Sequence, residues 1–132
     1  MDPWQPLLDS LRRLKETWPT PVWEWDARFS TVGSSFSIEL EPEVRSSARY
    51  AFPRGWTAKS IDTAPEPFRA LAAKTDLRST QRVLGGDELT AAALFGLWWP
   101  WGSGERITLR IGLMDLAATA DPIPRIRKLF GA

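Results

Sequence analysis

The sequence predicts an α+β fold, with one antiparallel sheet of five or six strands. An N-terminal, a middle and a C-terminal helix are expected to pack on one face of it. Apolar residues recur every three to four positions near the N-terminus and alternate with polar ones farther on. Proline, glycine and serine separate these segments. A chain of 132 residues with 43% hydrophobic residues fits a single globular domain, 1–132.

The first element is an amphipathic helix. Pro19 and Pro21 end it, because a proline disfavours helical geometry at the preceding residue. Its apolar face carries Trp4, Leu7, Leu8, Leu11, Leu14 and Trp18.

The next segments alternate with a period of two, which predicts a three-stranded meander. The first strand covers 23–29 and the second 36–41, with a turn over 30–35. The apolar residues Val44, Ala48, Tyr50 and Phe52 suggest the third strand, over 44–52.

Residues 53–65 are predicted as a loop that carries Trp56, and a helix follows over 66–75. Residues 77–84 are compatible with a strand. Leu89 to Trp99 is apolar almost all round, so a buried helix and a buried strand both fit. The alternating segment 106–113 would be its partner and favours a hairpin. A helix over 121–130 ends the predicted order.

The composition argues against catalysis. The chain has no His and no Cys, so Ser-His and Cys-His pairs are impossible, and a zinc site would need carboxylates alone. The glycine pairs lack the spacing and the lysine of a phosphate-binding loop. We therefore expect no enzyme activity, no metal site and no cofactor.

Charge and hydropathy indicate a cytoplasmic protein. The net charge is +1, which gives no global attraction to nucleic acid or to an anionic membrane. Residues 1–6 lack the features of a signal peptide. The apolar run 91–101 is shorter than the ~20 residues that span a bilayer. Abundant Arg, Ala, Pro and Trp suggest a bacterial source.

Glu39, Glu41 and Glu43 cluster near the end of the predicted second strand. The first two would share a face and could hold a cation or act as acid and base. A solvated strand face is the favoured interpretation. Residues expected to extend this patch, or to pair across strands, are Glu24, Asp26, Arg45 and Arg49.

The tryptophans divide into two groups. Trp4, Trp18, Trp23 and Trp25 lie on faces that the periodicity assigns to the core. Consecutive strand residues point to opposite faces, so Trp98 and Trp99 cannot enter the same core. At least one of the two must therefore be covered by another group, which could be the C-terminal helix, the Trp56 loop or a partner.

The sequence thus predicts a binding surface. We expect a non-catalytic domain that binds another protein: an adaptor, specificity factor, chaperone or immunity-type subunit. Single-stranded nucleic acid is the alternative, through tryptophan stacking and arginine, although the net charge disfavours it. Sugar binding and a carboxylate-only enzyme rank lower. The surface would contain Trp98, Trp99, Trp101, Arg106 and Arg110, with Trp56 and Arg82 as further candidates.

Overall fold

The computed structural model of the chain describes residues 4–87, 93–114 and 122–132. The strands in this part are β1 (Glu24–Asp26), β2 (Thr31–Ser37), β3 (Arg54–Thr57), β4 (Arg82–Gly85), β5 (Ala93–Pro100) and β6 (Arg106–Met114). The helices are α1 (Gln5–Thr17), α2 (Glu41–Ala48), α3 (Glu66–Thr75) and α4 (Ile123–Phe130). Short 3₁₀ turns cover Ile38–Leu40 and Ile61–Thr63.

The strands form one sheet in the order β1-β2-β6-β5-β4-β3, and all neighbours are antiparallel. The predicted α+β fold with a single antiparallel sheet is therefore confirmed. β6 lies in the interior of the sheet between β2 and β5, so its backbone is paired on both sides. None of the helices in the described ranges is long and apolar enough to cross a membrane.

The helices cover both faces of the sheet. α1, α2 and α4 enclose the main core on one face, together with apolar side chains of β2, β5 and β6. α3 lies on the opposite face, where Phe68 and Ala72 pack with Val83, Phe95 and Leu97. Only α3 departs from the expected placement of the helices on one face.

The predicted meander is wrong after its first strand. Residues 31–35, expected as a turn, form β2 together with 36–37, the first two residues of the expected second strand, whose remaining residues lie in a 3₁₀ turn and at the start of α2. Ser34 in β2 accepts a hydrogen bond from the Trp18 indole at 3.1 Å. The residues expected to form the third strand instead form α2 and the turn after it. Val44, Ala48 and Phe52 are spaced by four, which is a helical period, and Pro42 suits the first turn of a helix.

The remaining elements largely follow the sequence prediction. α1 buries its leucines and ends before Trp18, whose backbone is extended ahead of Pro19. α3 covers the predicted range, and the expected 53–65 loop contains β3. β4 lies at the end of 77–84, and the hairpin of β5 and β6 is confirmed for 93–114. Residues 88–92 and position 121 lie outside the described part.

Candidate functional site

Strand geometry places Trp98 and Trp99 on opposite faces of the sheet. Trp98 is only 5% exposed and lies in the main core, where its ring is 5.4 Å from that of Phe36. Trp99 packs at the margin of the α3 side. The expected separation is confirmed, and Trp98 cannot belong to a binding surface on the Trp99 side.

The cover of Trp99 comes from the turn between β1 and β2, and from β6. Phe29 meets the Trp99 ring edge-on at 5.3 Å, and the Arg110 guanidinium lies 5.0 Å from the ring centre. Neither the C-terminal helix nor the Trp56 segment supplies these contacts. The Trp99 Nε1 is buried without an acceptor among the described residues.

A tight hairpin turn presents Trp101 at the end of β5. The Gly104 N–H donates to the Trp101 carbonyl at 2.9 Å, and the Trp101 N–H donates to the Arg106 carbonyl at 2.8 Å. Gly104 has a φ of +74°, a conformation that glycine adopts without steric cost. The turn leaves Trp101 49% exposed, with the Arg106 guanidinium 5.5 Å from its ring centre.

A chain of hydrogen bonds fixes the Trp101 indole. Its Nε1 donates to the Thr108 Oγ1 at 2.8 Å. That hydroxyl shares a second hydrogen bond, of 2.7 Å, with the Ser35 hydroxyl on β2. The indole N–H is therefore already used within the chain, and what Trp101 offers to solvent is its apolar ring.

Asp26 neutralises two of the nearby arginines. Its carboxylate accepts from the Arg110 Nε at 3.3 Å and from the Arg28 backbone N–H at 2.9 Å, and it lies 3.6 Å from the Arg28 guanidinium. Burial raises the pKa of this carboxyl, but the hydrogen bonds and charges of both arginines outweigh it, so the net pKa is lowered. The backbone contact also closes the turn after β1.

Together these residues line one side of the sheet, over β1, β2 and β6, that no described helix covers. We call it the open face and define it by Asp26, Ser35, Trp101, Arg106, Thr108 and Arg110. They line a concavity of about 980 Å³ with Val22, which is 63% exposed. Its charged lining residues are Glu24, Asp26, Arg28, Arg106 and Arg110.

No family model matches the chain, and no curated protein or solved structure is significantly similar to it.

The structure brings together four of the predicted site residues and separates the others. Trp99, Trp101, Arg106 and Arg110 adjoin or line the open face. Trp56 lies in β3 and packs against Phe68 at 5.0 Å, beneath α3. Arg82 pairs in register with Trp98, which places it on the other face. Trp56 and Arg82 therefore do not belong to this surface.

Sequence reasoning missed three members of the open face. Thr108 alternates in phase with the two arginines of β6, so the period of two did contain that signal. Asp26 and Ser35 pair with residues that are 84 and 73 positions away, and only the strand order reveals such contacts.

The predicted carboxylate face does not form. Glu39 lies in a 3₁₀ turn, and Glu41 begins α2, where its carboxylate is 3.6 Å from the Arg45 guanidinium. The strand spacing that would have aligned these two side chains is therefore absent. In the described ranges, no group of three or more acidic residues is arranged to hold a metal ion.

Proposed function

We propose that this chain is a non-catalytic domain that binds another protein through its open face. As a subunit of a bacterial, cytoplasmic assembly it would serve as an adaptor, specificity factor, chaperone or immunity-type component. The observation that carries the proposal is the half-exposed Trp101, held rigid by Thr108 beside Arg106. Tryptophan and arginine are the residue types most enriched among binding hot spots.

The indole needs no reorganisation before a partner binds. Its N–H is satisfied by Thr108 and its ring is oriented by the turn, so little conformational entropy is lost on association. Val22, on the same concavity, offers a second exposed apolar side chain. A partner with an apolar side chain that packs against Trp101 would bury both groups.

Charge identifies the second feature of the partner. Asp26 holds Arg28 and Arg110, whereas no carboxylate among the described residues pairs with Arg106. A partner carboxylate would complete this pair at the edge of the apolar contact. The proposed partner segment therefore combines an apolar side chain with an acidic residue.

Single-stranded nucleic acid is a second candidate, because an exposed indole beside an arginine is also a stacking platform for a base. The electrostatics of the open face favour a protein instead. In the part of the chain that the structure describes, three arginines and two carboxylates line the concavity, so few phosphates would be neutralised. Oligonucleotide titration of the tryptophan fluorescence, at low and high salt, separates the two candidates. Salt-sensitive quenching that Trp101→Ala abolishes would favour nucleic acid.

The test of protein binding begins with affinity capture from the native host and mass spectrometry, followed by calorimetry with the purified partner. Trp101→Ala should weaken binding about 30-fold, the equivalent of a 2 kcal/mol hot spot. Tyr50 provides a matched control, because it is 43% exposed and has the Arg13 guanidinium 4.5 Å from its ring centre. Equal affinities of wild type and Trp101→Ala, or an equal loss in Tyr50→Ala, would contradict the proposal.

A further inference from the structure

A second cleft, of about 590 Å³, opens on the sheet face that carries Trp98. It lies between the C-terminal end of α2, the segment that leads into β3, and the strands β3 and β4. Small-molecule sites typically enclose about 300–1,000 Å³, so the cleft has the size of a ligand pocket. None of its described lining residues lines the open face, so a ligand bound here is independent of the proposed function.

The charged lining of this cleft has one sign. Among the described residues, four arginines line it, at positions 45, 49, 54 and 82, and no acidic residue does. Arg45 is paired with Glu41 at 3.6 Å, and Arg54 donates to the Gly86 carbonyl at 2.7 and 2.9 Å. Arg49 and Arg82 are solvent-exposed, and no ion pair engages them within the described ranges.

Topology creates this cluster. Arg49 follows the last turn of α2, and Arg82 lies opposite Trp98 in the pairing of β4 with β5. The register turns Arg82 toward the face on which α2 packs, so arginines 33 positions apart line one cleft. Like charges repel, so the arrangement favours a counter-ion.

We infer that this cleft binds a small phosphorylated molecule. The planar guanidinium groups of Arg49 and Arg82 match the bidentate geometry of a phosphate. Leu84 and Pro53 offer apolar surface to the organic part of the ligand, and Thr57 and Ser60 bring hydroxyl groups to the same cleft.

The observations favour a small ligand over a nucleic acid chain. A polynucleotide needs a basic track that continues along the surface. Here the arginines converge on one cleft, while the chain as a whole carries a net charge of only +1.

Calorimetry and thermal shift at low ionic strength test the inference with three probes: AMP, inorganic phosphate and adenosine. AMP should bind and raise Tm, inorganic phosphate should do so more weakly, and adenosine should do neither. Arg49→Gln combined with Arg82→Gln should weaken AMP binding at least about tenfold, because charge-assisted hydrogen bonds are lost. The matched control combines Arg69→Gln with Arg78→Gln, which removes the same charge from exposed sites outside the cleft. It should bind AMP as the wild type does.

Three results would overturn the inference. The first is the absence of AMP and phosphate binding to the wild type. The second is AMP binding that the Arg49 and Arg82 substitutions leave unchanged, or that adenosine matches. The third is an oligothymidylate that binds far more tightly than AMP and depends on the same two arginines, which would make the cleft part of a nucleic acid surface.

Discussion

Replacement of Trp98 by alanine tests the assignment of Trp98 to the core and of Trp101 to the surface. Trp98 is 5% exposed and packs against Phe36, so its removal leaves a cavity in the main core. Core Trp→Ala substitutions cost about 3–5 kcal/mol. At about 2.1 cal/mol/K of unfolding entropy per residue, each kcal/mol lowers the Tm of a 132-residue chain by about 3.6 °C. Trp98→Ala should therefore lower Tm by about 11–18 °C.

Trp101→Ala is the comparison. This substitution removes the half-exposed indole and with it one hydrogen bond, the contact with the Arg106 guanidinium and a partly buried apolar surface. The expected cost is about 1–2 kcal/mol, or about 4–7 °C. Scanning calorimetry of both variants gives the difference directly. A Tm loss below about 4 °C for Trp98→Ala, or an equal loss in the two variants, would refute the assignment of Trp98 to the core and Trp101 to the surface.

Three further predictions concern the open face and the sheet beside it. The lowered pKa of Asp26 stabilises the fold above the unfolded value of 3.8, and that stability is lost as the pH falls through the folded pKa. Asp26→Asn should therefore flatten the acid-side decline of Tm, and parallel pH profiles of the two proteins would argue against the ion pair. A Cβ at Gly112 would lie 2.6 Å from the Phe95 Cζ, so Gly112→Ala should destabilise by about 1–3 kcal/mol in denaturant melts. Gly102→Ala, with open space around it, should be close to neutral; similar losses in both would be evidence against this packing. Thr108→Val removes both the acceptor of the exposed indole and the hydrogen bond to Ser35, so it should cost about 1–3 kcal/mol; an unchanged Tm would mean that these two bonds contribute nothing.

Local pattern was sufficient for some elements and insufficient for others. The alternation in β6 and the adjacency of Trp98 and Trp99 correctly predicted which side chains share a face. The segment 44–52 was misread because its apolar residues fit both a strand and a period of four, and its packing against α1 decides between them.

The composition of the site depends on strand order, which residue spacing does not encode. Arg82 looked like a neighbour of Arg106, but the register of β4 on β5 turns it to the opposite face. Asp26 reaches Arg110 only because β2 lies between β1 and β6. Trp56, predicted to lie in a loop and to be a further candidate for the binding surface, is instead a β3 residue that the docking of α3 partly buries.

Site-specific photo-crosslinking in the native host tests protein binding at the open face most directly. A photoreactive amino acid at Val22, which is 63% exposed on the concavity, is compared with one at Tyr50, which is 43% exposed elsewhere. We predict one discrete adduct from position 22, lost when Arg106→Glu is combined with it, and none from position 50. Equal adducts from both positions, or an adduct from position 50 alone, would contradict binding through the open face.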